Sequence, residues 1–139
     1  VAGEKKRSLS GLLMDVRDFL ATEAQAAPRP GACCRIVDDW IMAKTGVSAL
    51  AAYGRDYVTD DDVEAWLSEH GGLAVAVNRV MRMAGYRKTK HPRAGDVGLI
   101  VYAGSLRMAI HSGDAWISRD ERGFVAAPLS TVLKSWRIE

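Results

Sequence analysis

Near residue 94 the spacing of apolar residues in this chain changes from the three-to-four-residue repeat of helices to the two-residue alternation of strands. Ahead of that point, Leu9, Leu12, Leu13, Val16, Phe19 and Leu20 form one helical stripe. Cys33, Ile36, Val37, Trp40 and Ile41 form a second, and Leu73, Ala76, Val77, Val80, Met81 and Ala84 another. Beyond it, Val97, Leu99 and Val101 fall on one side of a strand, and Leu106, Met108 and Ile110 on the core side of the next. Helices first and strands second predict an α+β domain, N-terminal helices packed on a small antiparallel sheet.

Breakers and caps divide these stretches. The first helix is predicted from Ser8 or Ser10 to Ala26 or Ala27, where Pro28-Arg29-Pro30 stops it. Val47 to Tyr57 has no clean period, and Tyr53-Gly54-Arg55-Asp56-Tyr57 reads as an irregular surface loop. Thr59 caps a helix carrying Asp60-Asp61-Asp62 in its first turn, so local helix physics explains the acidic triplet better than a metal site does. Gly71-Gly72 ends that helix and Gly85 the next. Arg87 to Arg93 reads as a solvated basic loop, and Ala103-Gly104-Ser105 as a hairpin connection. Arg119 to Gly123 reads as a charged turn. Pro128, Leu129, Val132 and Leu133 predict a short helix, after which Trp136-Arg137-Ile138 closes the sheet edge.

At 139 residues the chain suits one core domain, taken as 30–139, behind a basic arm and amphipathic helix over 1–29. The first residue is Val1, which leaves a removed leader open. A net charge of +2 and the lack of interleaved aromatics argue against nucleic acid, and no apolar run is long enough to span a membrane. Two adjacent cysteines make neither a disulfide framework nor a zinc site, so no metal and no cofactor is expected.

Those cysteines sit at the start of the helix between Gly31 and Gly46. Cys33 lies on its apolar stripe, where the first N–H groups of the helix favour the thiolate, as a nearby imidazole would. The bland alternative is an inert core thiol. Arg35, Asp38, Asp39 and Met42 occupy the other face, which is expected to be solvated, with Arg35 and Asp39 spaced as an ion pair. A disulfide between adjacent residues of one helical turn is not expected.

Several short motifs occur in a telling order: Ala32-Cys33-Cys34-Arg35-Ile36-Val37-Asp38-Asp39-Trp40, then Thr45-Gly46, Tyr53-Gly54-Arg55-Asp56-Tyr57, Gly71-Gly72-Leu73, Ala94-Gly95-Asp96-Val97, Pro128-Leu129-Ser130 and Trp136-Arg137. In this order the chain resembles, from about Pro30 to Ile138, the NlpC/P60 branch of papain-like cysteine peptidases. It is most similar to a small divergent family of that type, of unknown function, carried by phages, prophages and gene-transfer clusters of proteobacteria. The resemblance implies a papain-like fold with Cys33 as nucleophile. It also implies a histidine base at the start of the second strand, yet Arg107 stands at that position, and an arginine does not accept a thiol proton near neutral pH. The third, orienting residue falls near Ser118 or Arg119, and Ala32 replaces the aspartate that precedes the nucleophile in active members. His111 is the substitute base, although four strand residues from Arg107 is roughly 13 Å, and His91 is a looser candidate. Arg107 and Ser118 are then expected to face substrate.

Two functions follow from the resemblance. One is a phage tail-tip or baseplate component with a degraded triad, docked to neighbouring tail proteins through the N-terminal helix and found in the virion tail, or in the bacterial cytoplasm during assembly. The other is an active peptidase or amidase that cuts peptidoglycan stem peptides through a Cys33 thioester, with His111 as base.

Overall fold

The computed structural model describes residues 15–27, 29, 31–54, 59–69 and 71–139. Five helices precede five strands: α1 (Val16–Glu23), α2 (Ala32–Thr45), α3 (Ala49–Tyr53), α4 (Asp60–Leu67) and α5 (Gly72–Ala84), then β1 (Val97–Tyr102), β2 (Ser105–His111), β3 (Trp116–Asp120), β4 (Gly123–Ala127) and β5 (Val132–Trp136). The strands form one antiparallel sheet in the order β4-β3-β2-β1-β5, so the protein is α+β. The first helix does not run unbroken from Ser8 or Ser10, because Asp15 has an extended backbone and caps α1 by accepting the Arg17 N–H; what precedes Asp15, the arm over Val1 to Arg7 included, lies outside the described residues.

The main core lies between the helices and one face of the sheet. Ile36, Val37, Trp40 and Ile41 of α2 and Val77, Val80 and Met81 of α5 meet Val97, Leu99, Met108 and Ile110 there. Val16 and Leu20 of α1 join the same cluster, which makes α1 part of the fold. Arg119 of β3 secures it: the guanidinium donates to the carbonyls of Glu23 (2.6 Å) and Ala26 and lies over the Phe124 ring. These are carbonyls the end of a helix leaves without intrahelical donors, and a buried cation suits that end of the dipole.

The opposite face of the sheet is also covered. Ile100, Ala109, Trp116 and Ala127 form a second cluster with Tyr102 and Val132 around it. Ala127 and Val132 belong to the two edge strands, about 19 Å apart in a flat sheet, so the sheet is rolled. A Leu129–Thr131 turn of 3-10 helix links those edges, and Trp116 Nε1 donates to the Leu129 carbonyl across 3.2 Å. Gly98 leaves room for the Trp116 ring. A Cβ there would lie 2.8 Å from two ring carbons and 3.2 Å from the Lys134 carbonyl oxygen. Gly98→Ala is expected to lower stability by about 1–3 kcal/mol through overpacking, measured by urea unfolding.

The structure corrects further expectations. The stretch from Val47, which showed no clean period, forms α3, capped by Ser48 accepting the Ala51 N–H; Tyr53, read as loop, ends that helix, and 55–57 lie outside the described residues. Asp38 is buried rather than solvated: it accepts from the Ser48 hydroxyl (2.6 Å) and the Leu50 N–H (3.1 Å), tying α2 to α3. Val132 and Leu133 continue as strand β5, and only the 3-10 turn remains of the predicted last helix. Leu106, read as core, and Val101, set on one side with Val97 and Leu99, are each 42% exposed because they flank the hairpin tip. The capping box of Thr59 and Asp62 is as the acidic triplet implied.

Candidate functional site

Trp40 and Asp96 hold the strands that carry the site. Trp40 Nε1 donates to the Gly95 carbonyl (2.8 Å), which locks α2 to the entry of β1. The buried Asp96 carboxylate accepts from the Arg93 N–H (2.9 Å) and pairs with Arg137 (3.2 Å). The Gly95-Asp96 pair is therefore a structural clamp. Arg137 also donates to the Thr89 hydroxyl and the His91 carbonyl, so the basic loop is tied to the chain beyond β5.

Cys33 occupies the second position of α2, whose N-cap Gly31 has a left-handed backbone and no side chain to cap the helix. Its sulfur lies 4.0 Å from that of Cys34, and both thiols are partly buried against the main core. The Cys33 pKa is lowered from 9.0 to about 6. The Cys34 thiol contributes most by hydrogen-bonding the sulfur; burial opposes it, while the Met108 and Cys34 backbone N–H groups and the charge of Arg107 add to it. Cys34 is pushed the other way, well above its ordinary value, by the same sulfur contact, by burial and by the Cys33 charge. The pair is one thiolate beside one protonated thiol.

The charge of Arg107 acts on this sulfur, and Arg107 is paired with an acid the sequence reading missed. Asp120 accepts from the Arg107 guanidinium at 3.4 Å and from the Arg122 N–H at 2.8 Å. The Arg122 N–H is the main reason its carboxyl is lowered, with Arg107 adding to it. Strand pairing places them together: Ile110 faces Ile117 and His111 faces Trp116, and three steps further along that register Arg107 meets Asp120. Reading Arg119 to Gly123 as a turn hid this, since β3 runs on to Asp120. The Arg107 Nε is buried with no hydrogen-bond partner.

His111, the proposed substitute base, makes no hydrogen bond with Cys33. Its Nδ1 accepts the Gly113 N–H (3.0 Å), and its ring meets Trp116 edge-on at 5.0 Å, on the sheet face away from the helices. Burial lowers its pKa, against the pull of Asp96 and Asp114. Ser118, expected to face substrate, is fully buried and donates to the Met108 carbonyl (2.8 Å), so it positions the residue whose N–H meets Cys33. His91 is exposed, and its own N–H donates to Thr89. On the outer side of α2, Asp39 pairs with Arg29, which also reaches Glu23 (3.3 Å).

Among the described residues no three His, Cys, Asp or Glu side chains converge as a metal site, and no helix is long and apolar enough to cross a membrane. No curated protein and no solved structure matches the chain. The family described as Domain of unknown function (DUF6950) matches residues 14–138, a span that takes in α1, which the resemblance seen in the sequence had left outside. With nearly the whole chain covered, from the docked first helix to the end of the sheet, this protein belongs to the DUF6950 family.

Proposed function

We propose that this protein is a phage tail component, at the tail tip or baseplate, built on a divergent NlpC/P60-like fold that keeps the seat of the nucleophile and does not hydrolyse peptides. The motif order in the sequence supports the phage and peptidase ancestry. So does a cysteine that begins a helix and faces the second strand of a rolled antiparallel sheet. The observation that carries the loss of hydrolysis is that His111 makes no hydrogen bond with Cys33, while Arg107, tied to Asp120, stands where the resembling family has its histidine. A thiolate needs no base to attack a carbonyl, but the departing amine needs a proton, and a guanidinium holds its protons too tightly to supply one near neutral pH. The apolar face of α1 is used within the chain, so contact with neighbouring tail proteins falls to its exposed side and to the residues ahead of Asp15.

The competing reading, an active peptidoglycan peptidase, draws on the thiolate itself and on the α2 N–H groups as oxyanion donors. One assay separates them. Purified peptidoglycan incubated with the protein is expected to release no more soluble stem peptide than the Cys33→Ala variant does. Release that disappears in Cys33→Ala would establish the hydrolase. The tail assignment is tested by mass spectrometry of purified particles, which is expected to find the chain in tails; particles that lack it contradict the assignment.

A further inference from the structure

We propose that this chain associates with copies of itself, the acidic outer side of α4 in one copy seated on a basic groove of the next. This goes beyond the tail assignment and does not depend on it. The chain as a whole carries only +2, yet its charge is divided unevenly. From 70 to 95 there are six cations and no Asp or Glu. All six, Arg79, Arg82, Arg87, Lys88, Lys90 and Arg93, are exposed. Among the described residues Arg93 pairs with Glu139 (3.8 Å), and the other five make no ion pair. From Thr59 to Glu69 the reverse holds, with five acids and no Lys or Arg. The helix dipole accounts for the first-turn aspartates but not for Glu64, which lies beyond that turn.

The cations border a groove of about 690 Å³ whose lining includes Val47, Met83, Tyr86, Arg87 and Lys88. Met83 is 63% and Val47 58% exposed, so apolar contact is on offer beside the charges. Arg137 also lines the groove but is committed to Asp96. Arg87 and Lys88 are held by their main chain: the Arg87 carbonyl accepts the Arg137 N–H (2.9 Å), and Lys88 bridges to Trp136. Their backbones are fixed and their side chains remain for an anionic surface from outside. The chain itself supplies one in α4. Trp66 is buried inside the protein, while Asp61 and Glu64, three residues apart and so on one side of the helix, are exposed and make no ion pair among the described residues. Opposite charges across such a contact steer the approach and fix its register, and the small net charge sets up little repulsion between whole copies.

Sedimentation velocity of the full chain tests this. In about 0.01 M salt, where charges act over ~30 Å, wild type is expected to sediment above the monomer mass; in about 1 M salt, where they act over ~3 Å, association is expected to weaken about tenfold or more. One variant carries Asp61→Lys with Glu64→Lys, another Arg87→Glu with Lys88→Glu. Each sets like charges across the contact and is expected to stay monomeric in low salt. Mixed together, the two variants again present opposite charges to each other, and the mixture is expected to associate as wild type does. Recovery in the mixture also shows that both are folded, and neither touches the Thr59–Asp62 cap. If circular dichroism shows a reversal to be unfolded, Asp61→Asn with Glu64→Gln and Arg87→Gln with Lys88→Gln take its place, each expected to weaken low-salt association about tenfold. A monomeric wild type in low salt, undiminished association in any of these variants, or a mixture of folded reversals that stays monomeric would each overturn the proposal. None of these outcomes bears on whether peptidoglycan is cut.

Discussion

Trp40→Ala lowers the free energy of unfolding by about 3–5 kcal/mol, a large part of what a domain of this size has. Trp40 is 1% exposed and stands at the junction of three elements. Its ring tilts against Phe19 of α1 at 5.3 Å, and its Nε1 holds the Gly95 carbonyl just before β1. Alanine removes both contacts, opens a cavity beneath α1 and leaves that carbonyl without its donor. Urea unfolding measures the change as a lower midpoint at constant slope. Trp40→Phe keeps most of the apolar volume and is expected to lose a smaller amount, chiefly the hydrogen bond. A loss under about 1 kcal/mol in Trp40→Ala would mean that α2 is not anchored to the strand entry as described.

At pH 7 iodoacetamide modifies Cys33 about tenfold or more faster than Cys34. With a pKa of about 6, Cys33 is mostly thiolate at that pH. Cys34, pushed well above its ordinary value, is less than about 1% ionised. Cys34 lines the apolar cavity among the helices and Cys33 does not, so burial adds to the contrast. Peptide mapping of a brief labelling reaction reads the ratio directly, and equal labelling would remove the thiolate–thiol description.

The sequence carries the architecture well because amphipathic periods and glycine boundaries are local signals. The α2 stripe of Ile36, Val37, Trp40 and Ile41, the Gly46 and Gly85 stops and the Thr59 cap all stand where their spacing put them. Partners distant in sequence are harder to read. Asp38 looked solvated on its helix, and only the fold of the next ten residues brings Ser48 and the Leu50 N–H to it. Arg119 looked like part of a turn and instead holds the end of α1, more than ninety residues away in sequence.

The site was legible in half. Cys33 at a helix start follows from Gly31 and the stripe, and the family pattern drew attention to Arg107, whose charge acts on that sulfur. Asp120 required the β2–β3 register, which a hairpin count from the Ser112-Gly113-Asp114 turn would have supplied. Alternation puts His111 on the face of Arg107 and Ala109, and only the structure shows that this face is covered by the rolled sheet and lies away from the helices.

The account rests on a Cys33 thiolate held by Cys34, backbone N–H groups and Arg107, with no help from an imidazole. The rate of Cys33 alkylation against pH tests this most directly, in wild type, Cys34→Ala and His111→Gln. Below the midpoint the thiol is protonated and slow; above it the thiolate reacts at full rate. The account predicts a wild-type midpoint of about 6, a higher one in Cys34→Ala and an unchanged one in His111→Gln. A wild-type midpoint near the ordinary 9.0, or a rise on replacing His111, would contradict it.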